Sequence, residues 1–108
     1  TDESASGMFM LIPDDGCMAT TNSKVYSKNQ KLAETLLSAV VQTTGAANLG
    51  ITKRSDLTGF NWSEVPVCLI EMGYMTNEDE DMLLATRAYQ EKIVSGLVNG
   101  FLEYFYSN

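Results

Sequence analysis

PVCLIEMGYMTNEDEDMLL, residues 66–84, decides how this chain folds. Pro66 can open a strand, where its missing N–H does no harm. Val67 to Ile70 then shows no polar alternation, the pattern of an interior strand covered on both faces. That strand runs straight into a carboxylate, Glu71, followed by Gly73. Thr76 or Asn77 then caps a helix, because Thr76-x-x-Asp79 and Asn77-x-x-Glu80 both have capping-box spacing. The acids at 78–81 complement the positive end of that helix, which runs to about Ala85.

Working outward, Thr86 caps a longer helix in which Tyr89, Ile93, Leu97, Phe101 and Phe105 recur every four residues. Val94, Val98 and Leu102 widen the stripe. Gly96 and Gly100 cost this helix about 1 kcal/mol each relative to alanine, which close packing against a sheet would offset. Their Gly-x-x-x-Gly spacing resembles a membrane-helix contact, but Asn99 and Glu103 beside it favour packing on a sheet.

Upstream, MFMLI at 8–12 has strand length and is halted by Pro13, so a strand is expected over about 8–13. PDDG at 13–16 is turn chemistry, and loop extends to Asn22. From Ser23 to near Gly45 a helical period places Tyr26, Ala33, Leu36, Leu37, Val40 and Val41 on one face, with Lys24, Lys28, Lys31 and Glu34 opposite. LGITKRSDLTGFNW, 49–62, holds a strand or two and a loop at Phe60 to Trp62. The order β-α-β-β-α-α indicates an α/β layer structure.

Composition limits the function. A chain of 108 residues, 44% hydrophobic and 19% charged, reads as one globular domain with a modest core. The net charge of −7, from 14 acidic and 7 basic residues, offers no basic surface for a phosphate backbone or an anionic membrane. Nucleic acid and membrane are therefore not expected as partners, and no apolar run approaches the roughly 20 residues that span a bilayer. TDESAS, 1–6, is small and polar and is expected to be mobile, and TDESASG lacks the charged and apolar regions of a signal peptide.

Most mechanisms fall away on residue types. With no histidine there is no base for a serine-type triad, and no Gly-rich phosphate loop appears. NEDED at 77–81 starts like a calcium loop, but Met82 stands where glycine makes the sharp turn and Ala88 where a bidentate glutamate belongs. Cys17 and Cys68 read as inert, and their spacing leaves pairing open. Glu71 is different, since glutamate is rarely buried unpaired and ligands of open α/β sheets gather at the carboxyl ends of strands. A buried ion pair and a functional carboxylate both account for it. Beside a metal-bound water it would be a general base, with Gly73 leaving space for backbone or substrate.

VPVCLIEMGYMTNEDEDMLL, followed by YQEKIVSGLVNGFLEYF, closely resembles the C-terminal part of the zinc-dependent N-acetylmuramoyl-L-alanine amidases of the amidase_3 family. The family pattern P-x-x-L-x-E-x-G-[FY]-x-[ST]-N is met by Pro66, Leu69, Glu71, Gly73, Tyr74, Thr76 and Asn77. NQKLAETLLSAVVQTTG is similar to an upstream family helix, so the resemblance extends from about Gly7 onward. It implies a mixed sheet with helices packed on it, and hydrolysis of the amide between N-acetylmuramic acid and L-alanine in peptidoglycan, outside the cell or in its wall.

The resemblance places Glu71 at the position of the family's catalytic glutamate. It also implies zinc in the complete enzyme, held by two histidines and a glutamate that precede the matching region, so that no metal ligand is expected in residues 1–108. The chain is thus expected to be a C-terminal piece of an amidase domain, inactive alone and prone to self-association through uncovered apolar faces. Asn61, Trp62 and Gly73 are cleft candidates for substrate. Leu49-Gly50 stands where relatives often carry Arg-Gly, so a substrate contact by that arginine is not expected, and LTGFNW is a local variant where the resemblance implies a loop near the cleft. The competing expectation is a histidine-free module that binds wall peptide or a protein partner without chemistry.

Overall fold

The apolar stretch Met8–Pro13 forms β1, and the three strands of the sheet are arranged around it. The structure is a computed structural model and describes residues 6–14, 23–56, 65–73 and 77–106. The further elements are α1 (Ser23–Thr44), β2 (Asn48–Arg54), β3 (Leu69–Glu71), α2 (Glu78–Leu84) and α3 (Arg87–Tyr106). The sheet order is β2-β1-β3, with β2 parallel to β1 and β3 antiparallel to it. A parallel pair needs a crossover, and α1 supplies it, so β1-α1-β2 is a βαβ unit. The expected α/β class and mixed sheet are found.

Period-two alternation along β1 sends Met8, Met10 and Ile12 into the core with Leu32, Ala33, Leu36, Leu37 and Val40 of α1, joined by Ile93 and Tyr104 of α3. The expected apolar face of α1 holds from Ala33 to Val41, with Lys28, Lys31 and Glu34 exposed opposite it, while the side chains of Lys24 and Tyr26 lie outside the description. Helix α1 stops where Gly45 takes φ +77° and donates its N–H to the Val41 carbonyl, an αL-type end that glycine accommodates.

Three expectations need correction. The all-apolar run at 67–70 is not an interior strand: among the described residues β3 lies at the sheet edge, is only three residues long, and leaves Leu69 43% exposed. The strand covered on both sides is β1, whose pairing to β2 and β3 takes the central place. Secondly, the glycines of α3 pack on a helix, not on the sheet. A β-carbon at Gly96 would lie 2.7 Å from Val40 Cα, and one at Gly100 3.0 Å from Leu36 Cα, so these residues let α3 and α1 approach closely. Thirdly, this contact rotates the buried face of α3 to Ile93, Gly96, Gly100 and Tyr104. Val94, Val98, Phe101, Leu102 and Phe105, expected inside, are exposed. Of the strand or two expected over 49–62, one strand, β2, falls within the described residues.

Asn77 caps α2: its side chain accepts from the Glu80 N–H at 3.1 Å, with extended backbone at φ −94°. Thr76, the alternative, lies outside the described residues, as does the start at 1–5. Thr86 caps α3 through Tyr89 N at 3.3 Å. A helix of seven residues has little cooperativity of its own, so its cap matters. Asn77→Ala is expected to destabilise the protein by about 1 kcal/mol. Urea unfolding checks this, with a shifted midpoint at unchanged slope.

Candidate functional site

Glu71 is the last residue of β3 and pairs with Phe9 at the start of β1. It sits at the carboxyl end of its strand, half-buried. Among the described residues the carboxylate makes no hydrogen bond or ion pair. Both salt bridges among the described residues, Arg54–Asp56 and Arg87–Glu91, are exposed and elsewhere. Among the described residues no cation forms the buried ion pair that was one account of this glutamate. A carboxylate at a strand end is placed where a ligand of the sheet can reach it.

The turn after Glu71 is shaped by Gly73. Its φ of +155° is a conformation that side chains rarely adopt, and a β-carbon there would meet Glu80 Oε2 at 3.2 Å and Leu84 Cδ1 at 3.3 Å. Glycine is thus required for the chain to pass against the first turn of α2. The structure gives Gly73 this packing role, whatever contact with substrate it also makes. The other cleft candidates, Asn61 and Trp62, lie outside the described residues.

Glu80 ties the same corner together, since its Oε1 accepts from the Gly7 N–H just ahead of β1. The start of β1, the end of β3 and the N-terminus of α2 are held in one place by this contact and by the Gly73 turn. Capping-box spacing marked Glu80 only as a third helical residue reaching back. Its partner is 73 positions away and leaves no local trace.

A fully buried polar residue was also missed. Asn29 is fully buried on the apolar face of α1, and its Oδ1 accepts from the Val67 N–H at 2.7 Å. Its Nδ2 is buried without a partner, an arrangement that costs about 1–3 kcal/mol. Its period with Leu32, Ala33, Leu36 and Leu37 was visible in the sequence, and a polar residue in that stripe was the signal.

Cys68 is a free thiol packed against the core, and burial pushes it from the ordinary 9.0 up to about 11. The thiolate is the nucleophile, so Cys68 is unreactive at neutral pH, as expected for a small core hydrophobe. Because the folded state favours the protonated thiol, its contribution is complete below about pH 9 and is lost as pH rises toward about 11. We expect slow modification of native protein by a thiol reagent at pH 7.5 at this position, and prompt modification once it is unfolded. Prompt native reaction at Cys68 would contradict the burial account. Cys17 lies outside the described residues.

The donor set among the described residues does not suit a zinc ion. Among the described residues no cluster of three His, Cys, Asp or Glu could hold a metal, and the chain has no histidine. Zinc favours imidazole and thiolate in a site of three or four protein ligands. We expect residues 1–108 on their own to retain no full equivalent of zinc after dialysis against a weak chelator, as read by elemental analysis. Tight stoichiometric retention would reveal a ligand set other than these residues. No helix among the described residues is long and apolar enough to cross a membrane.

The sequence model of the Amidase_3 family, described as N-acetylmuramoyl-L-alanine amidase, matches residues 1–103. YqiI of Bacillus subtilis is 30% identical over 77 residues, covering 71% of this chain and 37% of that protein. The N-acetylmuramoyl-L-alanine amidase AmiA of Salmonella typhimurium is 38% identical over 42 residues, 39% of this chain and 14% of AmiA. The fold is shared with the CwlD amidase of Clostridioides difficile, solved in complex with the GerS lipoprotein: the TM-score is 0.84 at 22% identity, over 99% of this chain and 50% of CwlD. The chain thus spans half or less of the length of each of these proteins.

Proposed function

The chain belongs to the Amidase_3 family of N-acetylmuramoyl-L-alanine amidases, and from that premise we propose that the complete protein cleaves the amide between N-acetylmuramic acid and L-alanine in peptidoglycan, with Glu71 as its general base. The observation that carries the reading is the half-buried Glu71 carboxylate at the carboxyl end of β3, without an ion-pair partner among the described residues. Glu71 takes a proton from the water that attacks the lactyl carbonyl. As the C–N bond breaks, the same carboxyl returns the proton to the departing L-alanine nitrogen. The products are a lactyl carboxylate on the intact glycan and a peptide with a free amino terminus.

The surrounding contacts suit that task. The ladder to Phe9 fixes the backbone of Glu71 on one side, and the Gly73 turn against Glu80 and Leu84 fixes it on the other. Zinc is proposed for the complete protein only, with ligands supplied by residues other than those described. The site of action proposed with this substrate is the cell wall, where peptidoglycan lies. The lack of histidine favours one second reading, a module that binds wall peptide or a protein partner without chemistry.

Digestion of purified peptidoglycan by the complete protein tests the proposal. New amino groups ending in L-alanine should accumulate without new reducing sugar ends. Binding to peptidoglycan with no new amino groups would replace the amidase reading with the binding module.

A further inference from the structure

We infer that Asn29 is the positioning residue for Glu71: its side-chain carbonyl clamps the Val67 N–H and so sets the register of the short strand that carries the carboxylate. The inference rests on the general-base reading of Glu71 for its catalytic consequence, but the clamp can be observed without it.

The need for a clamp follows from the ladder. Strand β3 pairs with β1 at only three positions, Leu69 with Leu11, Ile70 with Met10 and Glu71 with Phe9. Among the described residues no second strand holds its outer edge. Continuing the same register would place Val67 opposite Pro13, which has no N–H to give, and the ladder stops before it. A strand held so briefly at an edge is prone to slip, and a slip of one residue turns every side chain to the other face. Glu71 would then leave its end of the sheet. An anchor outside the ladder removes that freedom.

Asn29 has the chemistry of such an anchor. Pro66 has no N–H, so Val67 carries the first amide donor after it on the way into β3. The atom facing a donor must be an oxygen, which fixes the amide orientation and leaves Nδ2 pointing where no acceptor lies. An apolar side chain would fill this fully buried position without an orphaned N–H. The polar residue is explained by its bond to Val67 and by nothing else it touches through a hydrogen bond. Helix α1 is a rigid place to hang it, since Leu32, Ala33, Leu36 and Leu37 on the same face are locked in the core.

The test compares Asn29→Leu, which removes the acceptor, with Asn29→Asp, which in this fully buried position is held as the neutral acid, keeps a carbonyl oxygen toward Val67 and puts one O–H where the amide has two N–H groups. Amide hydrogen exchange and steady-state kinetics are measured on the complete protein. For Asn29→Leu, amides of Leu69 to Glu71 should exchange at least about tenfold faster relative to those of β1 and β2, because local opening is decoupled from global unfolding. Turnover should fall about 10²-fold with KM little changed, the expected result of misplacing a reacting group by about an ångström. Asn29→Asp should retain the protection at 69–71 and most of the turnover.

Exchange that is unchanged at 69–71, or that rises in parallel across the whole domain, would overturn the clamp. If Asn29→Leu does not fold, Asn29→Asp carries the test, and loss of protection confined to 69–71 in that variant overturns it. Loosened exchange with normal turnover would overturn the catalytic consequence while leaving the anchor in place. Retained activity of Glu71→Gln identifies that outcome as a failure of the general-base reading.

Discussion

Glu71→Gln in the complete protein is expected to lower turnover by about 10²- to 10⁴-fold, the usual contribution of a positioned general base, while leaving the melting temperature nearly unchanged. Glutamine has almost the same shape as glutamate, so packing at the end of β3 survives, but it cannot take a proton from the attacking water. Because the carboxylate has no ion-pair partner among the described residues, the substitution strands no opposite charge there. Had Glu71 been half of a buried pair, its removal would destabilise the fold by about 3–5 kcal/mol. Muropeptide release and thermal unfolding, measured on the same preparation, separate the two accounts. A large stability loss with near-normal specific activity in the folded fraction would remove Glu71 from the mechanism.

The second large effect is expected in the core. At Gly96 a β-carbon would meet Val40 Cα at 2.7 Å and the Ala39 carbonyl oxygen at 3.1 Å. These are backbone atoms, so no rotamer change relieves the contact and α3 must move away from α1. Overpacking of this kind costs about 1–3 kcal/mol, and a backbone obstacle puts it toward the upper end. Alanine regains about 1 kcal/mol of helix propensity over glycine, so Gly96→Ala should lose about 2 kcal/mol in all. Displacement would also disturb the hydrogen bond from Thr43 Oγ1 to the Lys92 carbonyl, 2.7 Å long, which links the two helices at the same level. Ser95→Ala, one position away on an exposed part of α3, should be close to neutral. Chemical denaturation of both variants decides it, and a stabilised Gly96→Ala would contradict the close helix contact.

Much of this architecture was legible because local signals agreed with one another. The apolar run at 8–13, the change to a helical period at Ser23 and the glycine at position 45 mark β1 and α1 at their observed limits. Asn77 and Thr86 announce the starts of α2 and α3 through capping chemistry that acts over three residues. Glu71 stood out because a carboxylate ended an apolar strand.

What was misread depended on distant neighbours. Continuous apolarity at 67–70 reports the wish for burial but not the place in the sheet, and β1 takes the central position. A period of four through Phe101 and Phe105 chose the bulky face of α3, whereas the close contact is made by the small face at Gly96 and Gly100. Those phenylalanines instead line an open apolar groove of about 550 Å³ with Leu32, Val65 and Pro66. Asn29 and Glu80 reach partners 38 and 73 positions away, separations at which no spacing rule applies.

The central claim is the identity of the bond that Glu71 helps to break, and hydrolysis in ¹⁸O-labelled water tests it most directly. Peptidoglycan digested by the complete protein is separated, and the position of the label is read by mass spectrometry. The account predicts one ¹⁸O in the lactyl carboxylate of N-acetylmuramic acid, an unlabelled peptide beginning with L-alanine, and loss of both products in Glu71→Gln. Label at a sugar reducing end or in a peptide carboxylate, or labelled product undiminished in Glu71→Gln, would contradict it.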